Sequence, residues 1–155
     1  MVDLKTFGVQ PGAGRHHEEI IYSLALLYNV ISNKVAAYLN TYHLTIGKMN
    51  ILIAIKHQGG PQGIRQVDIS KHLIVTPSNM TKMLDKLEKE GLVTRHPQKD
   101  DRRVNLIKIT VKGSRLLDDV WPGYNAALRN LLKDITPQQQ KELARRLTGW
   151  LEKIQ

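Results

Sequence analysis

The chain has no cysteine. No disulfide can form and no thiol redox switch can operate. Nothing in it resembles a signal peptide, and no apolar run approaches the ~18 residues that a membrane span requires. A bacterial-type cytoplasm is therefore the simplest expected compartment, with no membrane partner. No Ser/His/Asp set, glycine-rich phosphate loop or pair of carboxylates in a plausible pocket appears, so an enzyme is not expected, nor a cofactor. Internal repeats and low-complexity tracts are missing too.

What is present is positive charge. The 155 residues carry a formal net charge of +9. A chain of this length is expected to form a single domain, 1–155, with enough interior to bury a core. Between Arg65 and Arg115 there are twelve Lys or Arg and six Asp or Glu, a local excess of +6. That clustering is the electrostatic footprint of a polyanion binder.

The stretch from Thr76 to Thr110 organises the rest. Thr76 is an N-cap and Pro77 suits the first helical position, where its missing N–H is not needed. Met80, Met83, Leu84 and Leu87 fall at i, i+3, i+4 and i+7, one apolar stripe. Gly91 ends the helix as a left-handed cap. The other face carries Ser78, Lys82 and Lys89, flanked by Asn79, Thr81, Asp85 and Lys86. Short polar residues come first and lysines later, which suits a helix whose N-terminal turn meets base edges. Leu92 to His96 has strand character and Pro97 breaks it. Val104 to Ile109 returns as a second strand, and the loop between them carries Lys99, Arg102 and Arg103. An arginine at the tip of such a hairpin can enter a narrow minor groove, where the negative potential is deepest.

Elsewhere, Met1 to Gly14 is rich in glycine and is expected to be a flexible or loosely packed arm. Arg15 to about Tyr42 is a long helix whose stripe of Ile20, Leu24, Leu27, Ile31, Val35 and Tyr38 is widened by Ile21, Tyr28 and Leu39. One small domain has too little surface to cover it, so partner helices are implied. Thr45 caps a helix to about Gln58, with Met49, Leu52, Ile53 and Ile55 inward. Gly59 to Gly63 is a turn, and Ile64 adds a minimal strand. Gln66 to about His72 is a short helix with Val67, Ile69 and Leu73 buried. Thr110 caps a helix to about Leu132, with a kink or short break expected at Pro122. Thr136-Pro137-Gln138-Gln139 is a capping box that starts the last helix, with Leu143, Leu147, Trp150, Leu151 and Ile154 as its stripe.

The stretch resembles the winged helix-turn-helix of the MarR family of bacterial transcription regulators. Asp101 and Arg103, five residues, then Ile109-Thr110 and Gly113 match the family's motif, with Ile109 where leucine is usual. The preceding run Leu84 to Val93 is also typical, whereas Ile74 stands where glycine is common. The resemblance implies a mainly α fold with a small β-wing: a winged helix-turn-helix over 45–112, flanked by dimerisation helices over 15–42 and 113–155. It also implies a homodimeric repressor that binds double-stranded DNA at a pseudo-palindromic operator and responds to a small aromatic ligand.

Roles follow from side-chain chemistry. Ser78, Asn79 and Lys82, with Thr81, are expected to read base edges. Arg65, Thr76 and Lys86 are expected at phosphates, and Arg102 and Arg103 in the minor groove. Asp101 orients a wing arginine, because phosphate repels it. The alternative for Lys86 and Lys89 is surface pairing, with Glu90 and Asp85 respectively. Tyr28, Tyr42, His43 and Trp121 are candidates for lining a ligand cleft. His16-His17-Glu18-Glu19 is read as a polar first turn whose acids favour the positive end of the helix, so no metal site is assigned. Two alternatives keep the fold: a metal-responsive regulator, and a winged helix that binds protein instead of DNA.

Overall fold

The computed structural model describes residues 4–12, 14–71, 73, 77–98 and 104–154, except for the side chains of Pro77 and Ser78. The helix at its centre is α2 (Ile46–Gln58), after α1 (His16–Asn40). Thr45 caps α2 by accepting a hydrogen bond from the Lys48 N–H at 3.2 Å. Met49, Ile51, Leu52, Ala54 and Ile55 are all buried, so α2 is apolar on more than one side. Such a helix belongs inside a core, and α2 packs on α1, on the short helix α3 (Gln66–Lys71), on α4 (Pro77–Lys89), on the sheet and on α5 (Val111–Leu131).

The sheet has three antiparallel strands, β1 (Ile64–Arg65), β2 (Val93–Pro97) and β3 (Asn105–Ile109), in the order β1-β3-β2. Ile64 pairs with Ile107 and Arg65 with Leu106, so the minimal strand expected at Ile64 is present. β2 extends through Pro97, which faces Asn105, rather than stopping before it. β2 is an edge strand, where a proline withholds no ladder hydrogen bond. Pairing continues one step further, from the Gln98 N–H to the Val104 carbonyl at 2.8 Å.

Two further sequence expectations need correction and one is narrowed. The N-terminal arm is folded where it is described: Leu4–Phe7 forms a 3-10 turn and Val9 is only 2% exposed. The Phe7 and Tyr22 rings lie 5.8 Å apart, and the Gly12 N–H donates to Glu19 at 3.0 Å. Local glycine content signalled freedom, but a few contacts with α1 suffice to fix a short segment. Val67 is 57% exposed; α3 is too short to bury more than Ile69 fully, with Leu73 half-buried beyond it. Of the kink or short break expected at Pro122, the break does not occur, and α5 runs continuously through that residue. At that point the Tyr38 hydroxyl of α1 donates to the Val120 carbonyl at 2.9 Å, and a Cβ on Gly123 would collide with the Tyr38 ring.

The last helix, α6 (Pro137–Ile154), begins with the expected capping box: the Thr136 N–H donates to Gln139 Oε1 at 2.9 Å and the Gln139 N–H returns to Thr136 Oγ1 at 3.4 Å. It contains no buried residue. Leu143, Leu147, Trp150, Leu151 and Ile154 are exposed, as are Ile20, Ile21, Leu27, Tyr28 and Ile31 along α1. By length and composition alone α1 is apolar enough to cross a membrane, with mean hydropathy 1.3, although no uninterrupted apolar run was evident. Its C-terminal part, through Val35 and Leu39, instead packs into the protein core beside α5.

Candidate nucleic-acid interface

α4 is held from four directions. Its inner face buries Met80, Leu84 and Leu87, as the stripe requires, with Met83 half-buried. Its C-terminus closes in a Schellman turn: the Gly91 N–H bonds to Glu88 O at 2.9 Å and the Leu92 N–H to Leu87 O at 2.9 Å, with Gly91 at φ +70°. Both bonds satisfy carbonyls that the helix end would otherwise orphan. Next, Thr110 docks the start of α5 on this turn. Its hydroxyl donates to Gly91 O at 2.8 Å and accepts from the Gly113 N–H at 3.0 Å, and a Cβ on Gly113 would run into Leu92 O. The Thr110 and Gly113 of the sequence motif therefore build the scaffold behind α4. Lastly, Gln66 at the start of α3 donates through Nε2 to Thr81 Oγ1 at 2.8 Å, joining the two helices of the helix-turn-helix.

The acids of α4 are all taken by cations from outside it. Arg95 of β2 donates through Nη1 to Glu88 Oε2 and through Nη2 to Asp85 Oδ1, each at 2.6 Å. Glu90, just past the helix, pairs with the nearly buried Lys48 of α2. The surface pairs Lys86–Glu90 and Lys89–Asp85 do not form. Among the described residues no carboxylate pairs with Lys82, Lys86 or Lys89, which lie on the exposed face with Asn79 and Thr81. A helix with two acids in its second half thus presents an outward face that is cationic.

Arg65 is exposed and its Nε is held by Asp68 at 2.6 Å; Lys71 reaches the same carboxylate at 3.0 Å. The hydrogen bonds from Arg65 and then Lys71 keep the Asp68 carboxyl below its ordinary range. Thr76, Asp101, Arg102 and Arg103 lie outside the described residues, as does the side chain of Ser78.

Sequence reasoning did not single out Arg95 or Lys48. The signal for Arg95 was alternation: in β2 it shares a face with the buried Val93, two residues away. For Lys48 it was a lone charge on an otherwise apolar helix.

The four ligand candidates are not gathered around one cavity. Tyr28 is highly exposed on α1, and the twelve residues from it to Asn40 span ~18 Å of helix. Tyr42 packs on Tyr38, with ring centroids 5.5 Å apart. His43 is exposed at φ +56°. Trp121 lines a cavity of about 200 Å³ between α2 and α5, together with Ile53, Lys56, His57, Leu117 and Asp118. Among the described residues no group of three or more metal-type ligands occurs. At the start of α1, Glu18 pairs with Arg15 at 3.2 Å and His16 lies 3.7 Å from Glu19.

The profile of the MarR family matches residues 44–104. The HTH-type transcriptional regulator PecS of Dickeya dadantii is 28% identical over 134 residues, covering 86% of this chain and 80% of the relative. The HTH-type transcriptional regulator MhqR of Bacillus subtilis is 26% identical over 116 residues, covering 75% and 78%. Among solved structures, a mutant MarR from E. coli complexed with operator DNA superposes with a TM-score of 0.78 at 23% identity, over 86% of this chain and 94% of that one. The S. aureus MepR–DNA complex superposes at 0.76 and 22%, over 85% and 96%. At this level of identity the structures establish the fold, winged helix and flanking helices together.

Proposed function

We propose that the chain is a transcription regulator of the MarR family, a reading supported by the family profile over residues 44–104 and by relatives such as PecS, and that it is a cytoplasmic repressor that binds a pseudo-palindromic DNA operator as a homodimer. The observation that carries this reading is the charge arrangement on α4. Both acids of its second half are engaged by Arg95, Glu90 just past its end is engaged by Lys48, and Lys82, Lys86 and Lys89 face outward. Asn79 and Lys82, with Ser78 and Thr81, read base edges: Asn matches adenine and Lys matches guanine. Lys86, Arg65 and Thr76 meet phosphates. Arg103, with Arg102, enters the minor groove, oriented by Asp101.

Dimerisation is supported by the apolar faces left exposed on α1 and α6. Soluble monomers rarely expose a contiguous patch larger than a few hundred Å². A two-fold dimer presents two copies of α4, so half-sites are expected ~34–36 Å apart, or a multiple of that. Release of DNA by a small aromatic ligand is the finer part of the proposal. The cavity at Trp121 favours it: an aromatic wall lies beside Lys56, which now pairs with Asp118 at 2.6 Å. An aromatic acid seated there would compete with Asp118 for the ammonium group.

Selection of binding sites from random duplex DNA tests the reading. The expected outcome is an inverted-repeat motif whose affinity falls steeply with salt, through counterion release. A selected pool with no enriched motif would overturn it.

A further inference from the structure

Arg95 joins two elements that a duplex must meet together. Its guanidinium spans Asp85 and Glu88, one turn apart on α4, at 2.6 Å each. Its main-chain N–H also donates to Glu88 Oε1 at 3.2 Å. Glu88 therefore holds strand β2 by backbone and side chain at once, while Asp85 fixes the plane of the guanidinium. A planar fork with several donors holds the two carboxylates in one fixed geometry, whereas an ammonium group is a point charge that imposes none.

Simple stabilisation is a poor account of this cluster. Asp85 and Glu88 are 48% and 38% exposed in their side chains, and Arg95 is 22% exposed. At that exposure, water and salt screen much of the attraction. The module also has a fully buried core beneath it. What the cluster does do is tie strand β2 to α4 and neutralise the two carboxylates beside the outward lysines.

We propose that Arg95 is a positioning residue for sequence readout: it locks the hairpin to α4 in the geometry that lets both engage one duplex, and it masks two carboxylates that phosphate would repel. The proposal rests on the DNA-reading function above. It predicts that specific and non-specific binding separate. Non-specific binding depends on net charge, whereas specific binding needs helix and hairpin in register.

The test compares affinity for the selected duplex with affinity for a random duplex, at one salt concentration and a temperature at which each variant is folded by circular dichroism. Arg95→Lys keeps the net charge. It is expected to lose about tenfold in affinity for the selected duplex and to stay within about twofold on the random one. The double variant Asp85→Asn with Glu88→Gln keeps Arg95 but removes its partners. It is expected to bind random DNA more tightly, having lost two negative charges, while its ratio of selected to random affinity falls about tenfold. Should Arg95→Lys not fold, the double variant carries the test, because both of its replacements are nearly isosteric and at partly exposed sites. Equal losses on both duplexes for Arg95→Lys, or an unchanged ratio in the double variant, would overturn the positioning role. A wild-type protein without preference for any duplex would instead overturn the DNA-reading function beneath it.

Discussion

α4 and α6 both carry leucines at helical spacing, yet Met80, Leu84 and Leu87 of α4 are fully buried, whereas α6 buries nothing. The difference lies in what each stripe faces. α4 meets α2, α3 and β2 from its own chain, all within a few dozen residues. Among the described residues α6 makes no extensive contact with any other element. One apolar pattern therefore has two outcomes: a closed core at α4 and an open apolar face at α6. The ion pairs divide the same way. Around α4 they cross between elements, Arg95 to Asp85 and Glu88, and Lys48 to Glu90; on α6, Arg145 and Arg146 only bridge to Glu142 of the same helix. Cross-element pairs orient segments, whereas exposed pairs within a helix support only its own turn.

The strongest way to break this comparison is to make the same truncation in both regions. Leu84→Ala is expected to cost about 2–5 kcal/mol in urea denaturation, at any protein concentration. Leu151→Ala should cost less than about 0.5 kcal/mol at dilution, and its effect should grow with protein concentration. A concentration-independent loss at Leu151 would mean that α6 is buried within its own chain after all. Next in size, Leu147→Glu combined with Leu151→Glu places two carboxylates in the proposed interface. Dimerisation should weaken by on the order of 2–3 kcal/mol, seen as a shift to monomer in sedimentation, with the helical circular dichroism of the module retained. Gly113→Ala probes the scaffold behind α4, where a Cβ meets Leu92 O and Ile109. A loss of about 1–3 kcal/mol in thermal denaturation is expected, independent of dimerisation.

The smallest effect lies outside both regions, where α1 packs on α5. The Tyr38 hydroxyl is pushed up to about 12 by its hydrogen bond with Tyr42 and by burial. Its folded value lies above its unfolded one, so this contribution to stability is complete below about pH 10 and is lost as pH rises from ~10 to ~12. Tyr38→Phe should cost about 1 kcal/mol near neutral pH, through loss of the bond to Val120 O. That difference from wild type should shrink across the alkaline window in denaturation at stepped pH. A difference that stayed constant to pH 12 would show that the hydroxyl is not held in its neutral form.

Much of the fold is readable without coordinates because its signals are local. Thr45, Thr110 and Thr136 cap the helices they were expected to cap, and Gly91 takes the left-handed turn. Each is decided by backbone groups within four residues. The stripe on α4 is likewise set by helical periodicity. The candidate site is legible in part, since Asn79, Thr81, Lys82 and Lys86 do lie on one exposed face. The partners of the charges were not legible. Lys89 and Asp85 stand at the right spacing to pair, but Arg95 arrives from the next element with two donors and takes the acid. Val67 read as buried because it matches a helical pattern, but a helix of six residues has too little surface to turn every apolar residue inward.

The sequence by itself determined where helices begin and end, which face of α4 is apolar, and that positive charge concentrates between Arg65 and Arg115. Those properties depend on nearest neighbours along the chain and on composition. Only the tertiary structure decided which lysines keep their charge outward, because an ion pair forms with whichever cation folding brings within reach. It also decided which apolar stripes close a core and which stay open, because burial belongs to the two surfaces that meet and not to the stripe alone.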